Sequence, residues 1–323
     1  MGLRPDKEPM TAAPLPDARP DNWVDRYAPK PVRPWLKLAR FDRPIGTWLL
    51  MLPGWQAVAL AGAQQGKGPD LKLLALIAVG ALVMRGAGCA YNDIVDRDYD
   101  AKVARTAMRP IPAGQISVKG AFAYLVGLSL VGLVILLSLK PLAIALGVGS
   151  LLLVAVYPFM KRITWWPQAW LGLTFNWGAP LGYAAATGTF GWQAVLLYAS
   201  GFFWTLGYDT IYAVQDMEDD ALVGVKSSAR RLGAKAAQGV AVFYAICVLL
   251  AAGAAAVAHL GPLVLPFLLA YAVHLFWQAR RLNVDDGALA LRLFKANREA
   301  GLILFLGLIA GLWRHGGPFG LGG

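Results

Sequence analysis

Charged residues are scarce in this chain of 323 residues: they make up 15%, against 57% hydrophobic, and the mean hydropathy is +0.51. A soluble domain carries about a quarter charged residues, so a water-facing surface on all sides is excluded and a polytopic membrane protein is expected. Cysteine is nearly absent. Cys89 and Cys247 both lie inside apolar runs, which excludes a disulfide framework and reads as two small buried hydrophobes. The three histidines, His259, His274 and His315, are scattered, which argues against a zinc or haem centre. No short apolar stretch with a small-residue cleavage site opens the chain. Residues 1–34 are polar and proline-rich and read as a disordered cytoplasmic tail. Residues 316–323 form a short tail at the other end.

What is abundant is long apolar runs. A helix needs ~20 mostly apolar residues to cross a bilayer. Nine segments meet that standard, at roughly 45–63, 71–92, 121–139, 141–158, 168–187, 192–214, 236–258, 261–279 and 297–314. The net charge of +11 is not gathered into one domain, as a nucleic-acid surface would require, but lies in the short loops between these runs. With the N-terminus inside, 25 Lys and Arg fall on the cytoplasmic side and four on the other (Lys67, Lys72, Lys140, Arg314). Arg85 lies within the second segment. By the positive-inside rule the tail is cytoplasmic, and nine crossings put the C-terminus outside. The partner implied is the lipid bilayer, not nucleic acid.

Against this background YNDIVDRDYD, residues 91–100, stands out, with four aspartates in eight residues at the end of the second segment. A like-charge cluster repels itself and needs cations. A second acidic stretch, YDTIYAVQDMEDDALVGVKS (208–227), ends the sixth segment, four crossings later, so both open on the same side. Asn92, Asp96 and Asp100 step by four, as do Asp216 and Asp220, and on a helix such side chains share a face. Facing carboxylates suit Mg²⁺, a cation that takes oxygen ligands and is commonly completed by phosphate oxygens. The bland alternative is a pair of solvated helix caps. An EF-hand is excluded, because DIVDRDYDAKVA lacks its glycine and late glutamate.

Basic residues surround these motifs. Arg85 precedes Asn92 by seven and shares its face, either serving the site or pairing with an acid of the cluster. Lys161 and Arg162 end YPFMKR at the same mouth, where positive-inside anchoring would also explain them. Lys226 follows Asp216 by ten residues and reaches toward a diphosphate or flanks segment seven. RTAMRPIPAG (105–114) is a lid or a turn.

These residues resemble a known family. NDIVDRDYD matches the NDxxDxxxD motif of the UbiA-type intramembrane prenyltransferases, and DMEDD their second DxxxD motif. ARFDRPIGTWLL, RTAMRPIPAG, YPFMKR, GVKSSARRLG and FKANREAG extend the likeness from about residue 35 to 315. The resemblance implies an all-α bundle of about nine transmembrane helices around a central cavity capped by cytoplasmic loops. It implies Mg²⁺ on Asn92, Asp93, Asp96, Asp100, Asp216 and Asp220, with Asp96, Asp100, Asp216 and Asp220 catalytic. Substrate contacts fall on Arg85, Tyr157, Lys161, Arg162, Asp209, Tyr212 and Lys226, with Arg162 at an aromatic carboxylate; the position of Arg85, on the face of the first motif, puts it at the diphosphate. The likeness is greatest to members that move a polyprenyl group from its diphosphate to the carbon ortho to the hydroxyl of 4-hydroxybenzoate, in ubiquinone synthesis. That implies a bacterial inner membrane with a cytoplasmic site, and contact with other enzymes of the pathway. Other acceptors stay open: dihydroxynaphthoate, homogentisate, haem or chlorophyllide precursors. Outside the family stand a CDP-alcohol phosphotransferase, whose DG…AR element is missing, and a transporter.

Overall fold

The computed structural model describes residues 22–101, 106–217, 221 and 224–313, and among them every regular element is a helix. Two short helices, α1 (Trp23–Tyr27) and α2 (Arg33–Leu38), precede the long α3 (Ile45–Gln64) and α4 (Leu71–Asp100). A tight hairpin joins α5 (Val118–Leu137) to α6 (Pro141–Ile163), and α7 (Pro167–Phe175) and α8 (Gly178–Thr187) follow. α9 (Trp192–Ala213) tightens into a 3-10 turn at Val214–Asp216. α10 (Ser228–Leu232), α11 (Ala236–Val257), α12 (Val264–Arg281), α13 (Gly287–Lys295) and α14 (Asn297–Ala310) complete the described bundle.

Each of the nine apolar segments is largely helical over its described residues. Four helices, α3 to α6, and the run Ser228–Val257 are long and apolar enough to cross a membrane by length and composition. The segment 168–187, expected as one span, is instead two helices broken at Asn176 and Trp177. The reason is local. Pro180 has no N–H to give the Asn176 carbonyl, and that carbonyl accepts from Ala179 at 2.8 Å. The Asn176 side chain is buried, donating to Gly172 O (2.8 Å) and Thr205 Oγ1 (2.7 Å). Part of the tail is also ordered. Within the stretch read as disorder to residue 34, α1 is tied down by Trp23 Nε1 donating to Phe41 O at 2.7 Å and by Asp25–Lys37 at 2.6 Å.

The bundle is inside-out relative to a soluble protein. α5 and α6 leave Val126, Leu130, Val134, Leu151 and Leu152 exposed, as lipid-facing helices do. The packed interior centres on α9, whose Trp204, Tyr208 and Ile211 are fully buried and which packs most extensively on α11. Close backbone approach fixes a second contact, α3 on α8: a Cβ at Gly182 would lie 2.7 Å from Gly54 O. α4 has 30 residues, hence about 45 Å of rise, against a hydrocarbon core of ~30 Å. Its last turns, bearing the first acidic motif, therefore stand beyond the apolar part of the helix.

Candidate active site

Two adjoining cavities open among the ends of α4, α6, α7 and α9. The deeper one, about 230 Å³, is lined by residues that include Ile45, Leu49, Arg85, Cys89, Phe175 and Tyr208. The outer one, about 260 Å³, includes Asp100, Lys161, Gln168, Asp216 and Lys226. Asn92, Thr106, Arg109, Tyr157, Asp209 and Tyr212 line both, so the two are compartments of one site. Both acidic motifs thus converge, as their spacing across four segments predicted. Asp220 lies outside the described residues.

The first motif is divided by the helix it stands on. Each i+4 step on an α-helix advances only about 40°. Two steps carry Asp100 round to the side of Asp93, its i+7 partner. Arg109 bridges these two carboxylates, at 3.2 Å to Asp93 and 2.6 Å to Asp100. Asp93 is fully buried and also takes a two-pronged pair from Arg40 Nη2 at 2.8 and 2.9 Å. Asp96 is fully buried as well, with Lys161 Nζ at 2.5 Å on one oxygen and Arg162 Nη2 at 3.0 Å on the other. Three carboxylates thus meet four cations, the compensation that buried carboxylates require. Of the residues expected to bind metal, Asn92, Asp100 and Asp216 line the outer compartment, Asp93 lines the deep one and Asp96 lines neither, and Asp93, Asp96 and Asp100 are all held by cations. Among the described residues, no three acidic or imidazole side chains stand close enough to form a ready-made metal cluster.

The basic residues are sorted differently from the sequence reading. Arg162 lines neither compartment: besides Asp96 it lies over the rings of Tyr99 (4.8 Å) and Phe159 (5.9 Å). Arg85 lines the deep compartment and not the outer one. Its guanidinium rests on Phe175, 5.2 Å from the ring centre, and its buried Nε has no hydrogen-bond partner among the described residues. Gly46 makes room for it, since a Cβ there would meet Arg85 Nε at 2.6 Å. Lys161 and Lys226 stand in the outer compartment with the acids, and Tyr157, Asp209 and Tyr212 join the two.

Several wall residues were not singled out in the sequence, although Arg40, Arg43, Phe294 and Lys295 lie in the stretches ARFDRPIGTWLL and FKANREAG. Arg40 and Arg43 are two of many Lys and Arg on the positively charged side, and Lys295 is another. Only the fold brings them to the deep cavity. Arg40 also has φ +61, a left-handed backbone that turns the chain between α2 and α3. Phe175, Tyr208 and Phe294 read as ordinary apolar positions, yet Phe294 packs tilted against Tyr208 (5.8 Å) and Tyr212 (4.7 Å) to form an aromatic wall.

A pair of acidic motifs at the ends of apolar helices, beside a cavity lined by aromatic residues and Arg85, can be placed among known proteins. The model of the UbiA prenyltransferase family matches residues 51–309. The chain belongs to that family. A human mitochondrial 4-hydroxybenzoate polyprenyltransferase (Homo sapiens) is 47% identical over 302 residues, covering 89% of this chain and 78% of the relative. The corresponding protein of Arabidopsis thaliana is 46% identical over 291 residues, covering 90% and 71%. Among solved structures, a UbiA homolog from Aeropyrum pernix K1 superposes with a TM-score of 0.68 at 25% identity, covering 81% of this chain and 96% of that one. A UbiA homolog from Archaeoglobus fulgidus, solved bound to GPP and Mg²⁺, superposes at 0.66 and 20% identity, covering 86% and 98%. This UbiA-family chain therefore shares the fold of an all-α membrane prenyltransferase.

Proposed function

We propose that this UbiA-family protein transfers a polyprenyl group from polyprenyl diphosphate to the carbon ortho to the hydroxyl of 4-hydroxybenzoate, releasing diphosphate, as a step of ubiquinone synthesis. The observation that carries the reading is the division of the site. An acid- and lysine-lined outer compartment joins an aromatic inner one whose floor holds an arginine with no acidic partner within ion-pair distance among the described residues. The relatives named for 4-hydroxybenzoate support the same acceptor.

Asn92, Asp100 and Asp216 offer hard oxygen donors to one cavity, which fits Mg²⁺, with Asp220 expected beside them. When bound, the metal supplies Lewis acidity toward the diphosphate as negative charge grows on it. Lys161 and Lys226 add positive charge in the same compartment. In our reading Lys161 and Arg162 pass from Asp96 to the diphosphate when it arrives, which frees Asp96 to serve as a ligand. Asp93, pinned by Arg40 and Arg109, holds the loop at residues 106–116 over the site. The roles of the two arginines are exchanged relative to the sequence expectation. Arg85, lodged on Phe175 in the inner compartment, meets the acceptor carboxylate, and Arg162 stays with the diphosphate side. The aromatic wall excludes water that would quench a cation-like allylic carbon.

The placement proposed is a bacterial inner membrane, nine crossings, with the site on the cytoplasmic side. Contact with other enzymes of the pathway is proposed as well. The test is a membrane assay with 4-hydroxybenzoate, a long polyprenyl diphosphate and Mg²⁺. Formation of 3-polyprenyl-4-hydroxybenzoate is expected, and transfer to homogentisate or dihydroxynaphthoate instead would replace the acceptor.

A further inference from the structure

The two helices that carry the acidic motifs are built alike one level down. Arg85 precedes Asn92 by seven residues on α4, and Asp209 on α9 precedes by seven Asp216, which stands in the 3-10 turn that ends that helix. Seven residues are two turns, so each helix sets one charged side chain beneath its motif and on about the same face. The two beneath-motif residues carry opposite charge and both line the deep compartment. They are near enough for Asp209 to feel the Arg85 charge, yet they form no ion pair within 4 Å.

Asp209 differs from the other acids of the site. Asp93, Asp96 and Asp100 are each bound to a lysine or arginine. The Asp209 side chain makes no hydrogen bond or ion pair to any described residue. It is also the one described carboxylate lining both compartments, the place where an acceptor ring and an allylic carbon must meet. Phe175, Tyr208 and Phe294 supply aromatic faces around that floor.

We propose that Asp209 receives the acceptor's hydroxyl and takes its proton as the carbon–carbon bond forms. This rests on the functional reading above and assigns the proton acceptor for it. A para-substituted benzoate then lies across the floor, its carboxylate on Arg85 and its hydroxyl on Asp209, with an ortho carbon turned to the outer compartment. The allylic C–O bond breaks and its electron pair leaves with the diphosphate. The ortho carbon supplies the pair for the new C–C bond, while the hydroxyl oxygen yields its proton to Asp209 and becomes the carbonyl of a neutral dienone. The dienone loses the displaced ring proton to diphosphate and regains a proton on oxygen from Asp209. Asp209 ends as it began, and the ring is aromatic again.

The test compares wild-type protein and Asp209→Asn in nanodiscs, with 4-hydroxybenzoate and with 3-fluoro-4-hydroxybenzoate, whose hydroxyl is more acidic and which keeps one free ortho carbon. With 4-hydroxybenzoate the variant's kcat should fall about 100-fold or more, the scale of a lost general base, with KM for polyprenyl diphosphate within about twofold. On the fluorinated acceptor the wild-type-to-variant ratio should shrink to about 10 or less, because a readily ionised hydroxyl needs the base less. A ratio that stays the same on both acceptors, or no loss at all, overturns the assignment and leaves Asp209 a structural residue. A wild-type protein that prenylates no 4-hydroxybenzoate sinks the functional reading and this assignment with it. Should Asp209→Asn fail to fold, Asp209→Glu carries the same comparison. Its carboxylate, one methylene displaced, should give a smaller deficit that shrinks in the same way.

Discussion

At the scale of single residues, the site separates charge that is neutralised from charge that is kept available. Asp93 and Asp96 are buried against cations at 2.5 to 3.2 Å, so losing a partner leaves an isolated buried charge, which is costly. Asp96→Ala or Asp216→Ala should each lower the transfer rate at least ~10²-fold, the scale of one preorganised electrostatic group, and EDTA treatment of metal-free membranes should abolish transfer. Activity that survives chelation would remove the metal from the reading. Arg85 is the opposite case, supported by the ring of Phe175 and the space over Gly46. A guanidinium grips a carboxylate through two parallel charge-assisted bonds that lysine cannot copy. Arg85→Lys should therefore raise KM for 4-hydroxybenzoate about tenfold or more and leave KM for polyprenyl diphosphate nearly unchanged, and Arg162→Lys should not. Titrating both substrates against each variant decides it. Equal effects of both variants on the same substrate would undo the division.

At the scale of elements, the site depends on how tightly a few helices approach. In a membrane, association rests on van der Waals packing and interhelical hydrogen bonds, so small residues matter at crossings. Gly182 against Gly54 is such a crossing, and Gly182→Ala should cost about 1–3 kcal/mol, read as a lowered Tm in detergent, since an overpacked contact must move backbone. The break between α7 and α8 places Phe175 at the last turn before Asn176, under Arg85. An uninterrupted helix over 168–187 would present that ring elsewhere. Asn176→Leu, which removes the bonds to Gly172 and Thr205, should destabilise the protein and raise KM for the acceptor more than for the diphosphate substrate.

At the scale of the whole molecule, orientation is the open variable, and the protein is well suited to measuring it. Both native cysteines are buried, so background labelling is low. Ala101→Cys and Gly224→Cys, each at an exposed position beside one acidic motif, should react with an impermeant thiol reagent in inverted vesicles and stay unreacted in right-side-out ones. Labelling from the outer face would reverse the topology, although not the convergence of the motifs, which the cavities establish independently.

Helix content, the apolar segments and the pairing of two acidic motifs were legible in the sequence because each is a local property. Hydropathy over ~20 residues marks a segment, and an i, i+4 spacing marks a face. The even number of segments between the motifs placed them at one end, and the Lys and Arg excess suggested which. Which acids stay open to the cavity was not legible. Asp93, Asp96 and Asp100 are the same letter within one motif, and only packing brings Arg40 and Arg109 onto Asp93, Lys161 and Arg162 onto Asp96, and Arg109 onto Asp100, which still lines the outer compartment. Arg85 and Arg162 look alike as letters. The tertiary structure set one on Phe175 inside the deep compartment and the other on Asp96 outside both, because a charge's role depends on which opposite charges the fold brings within about 4 Å.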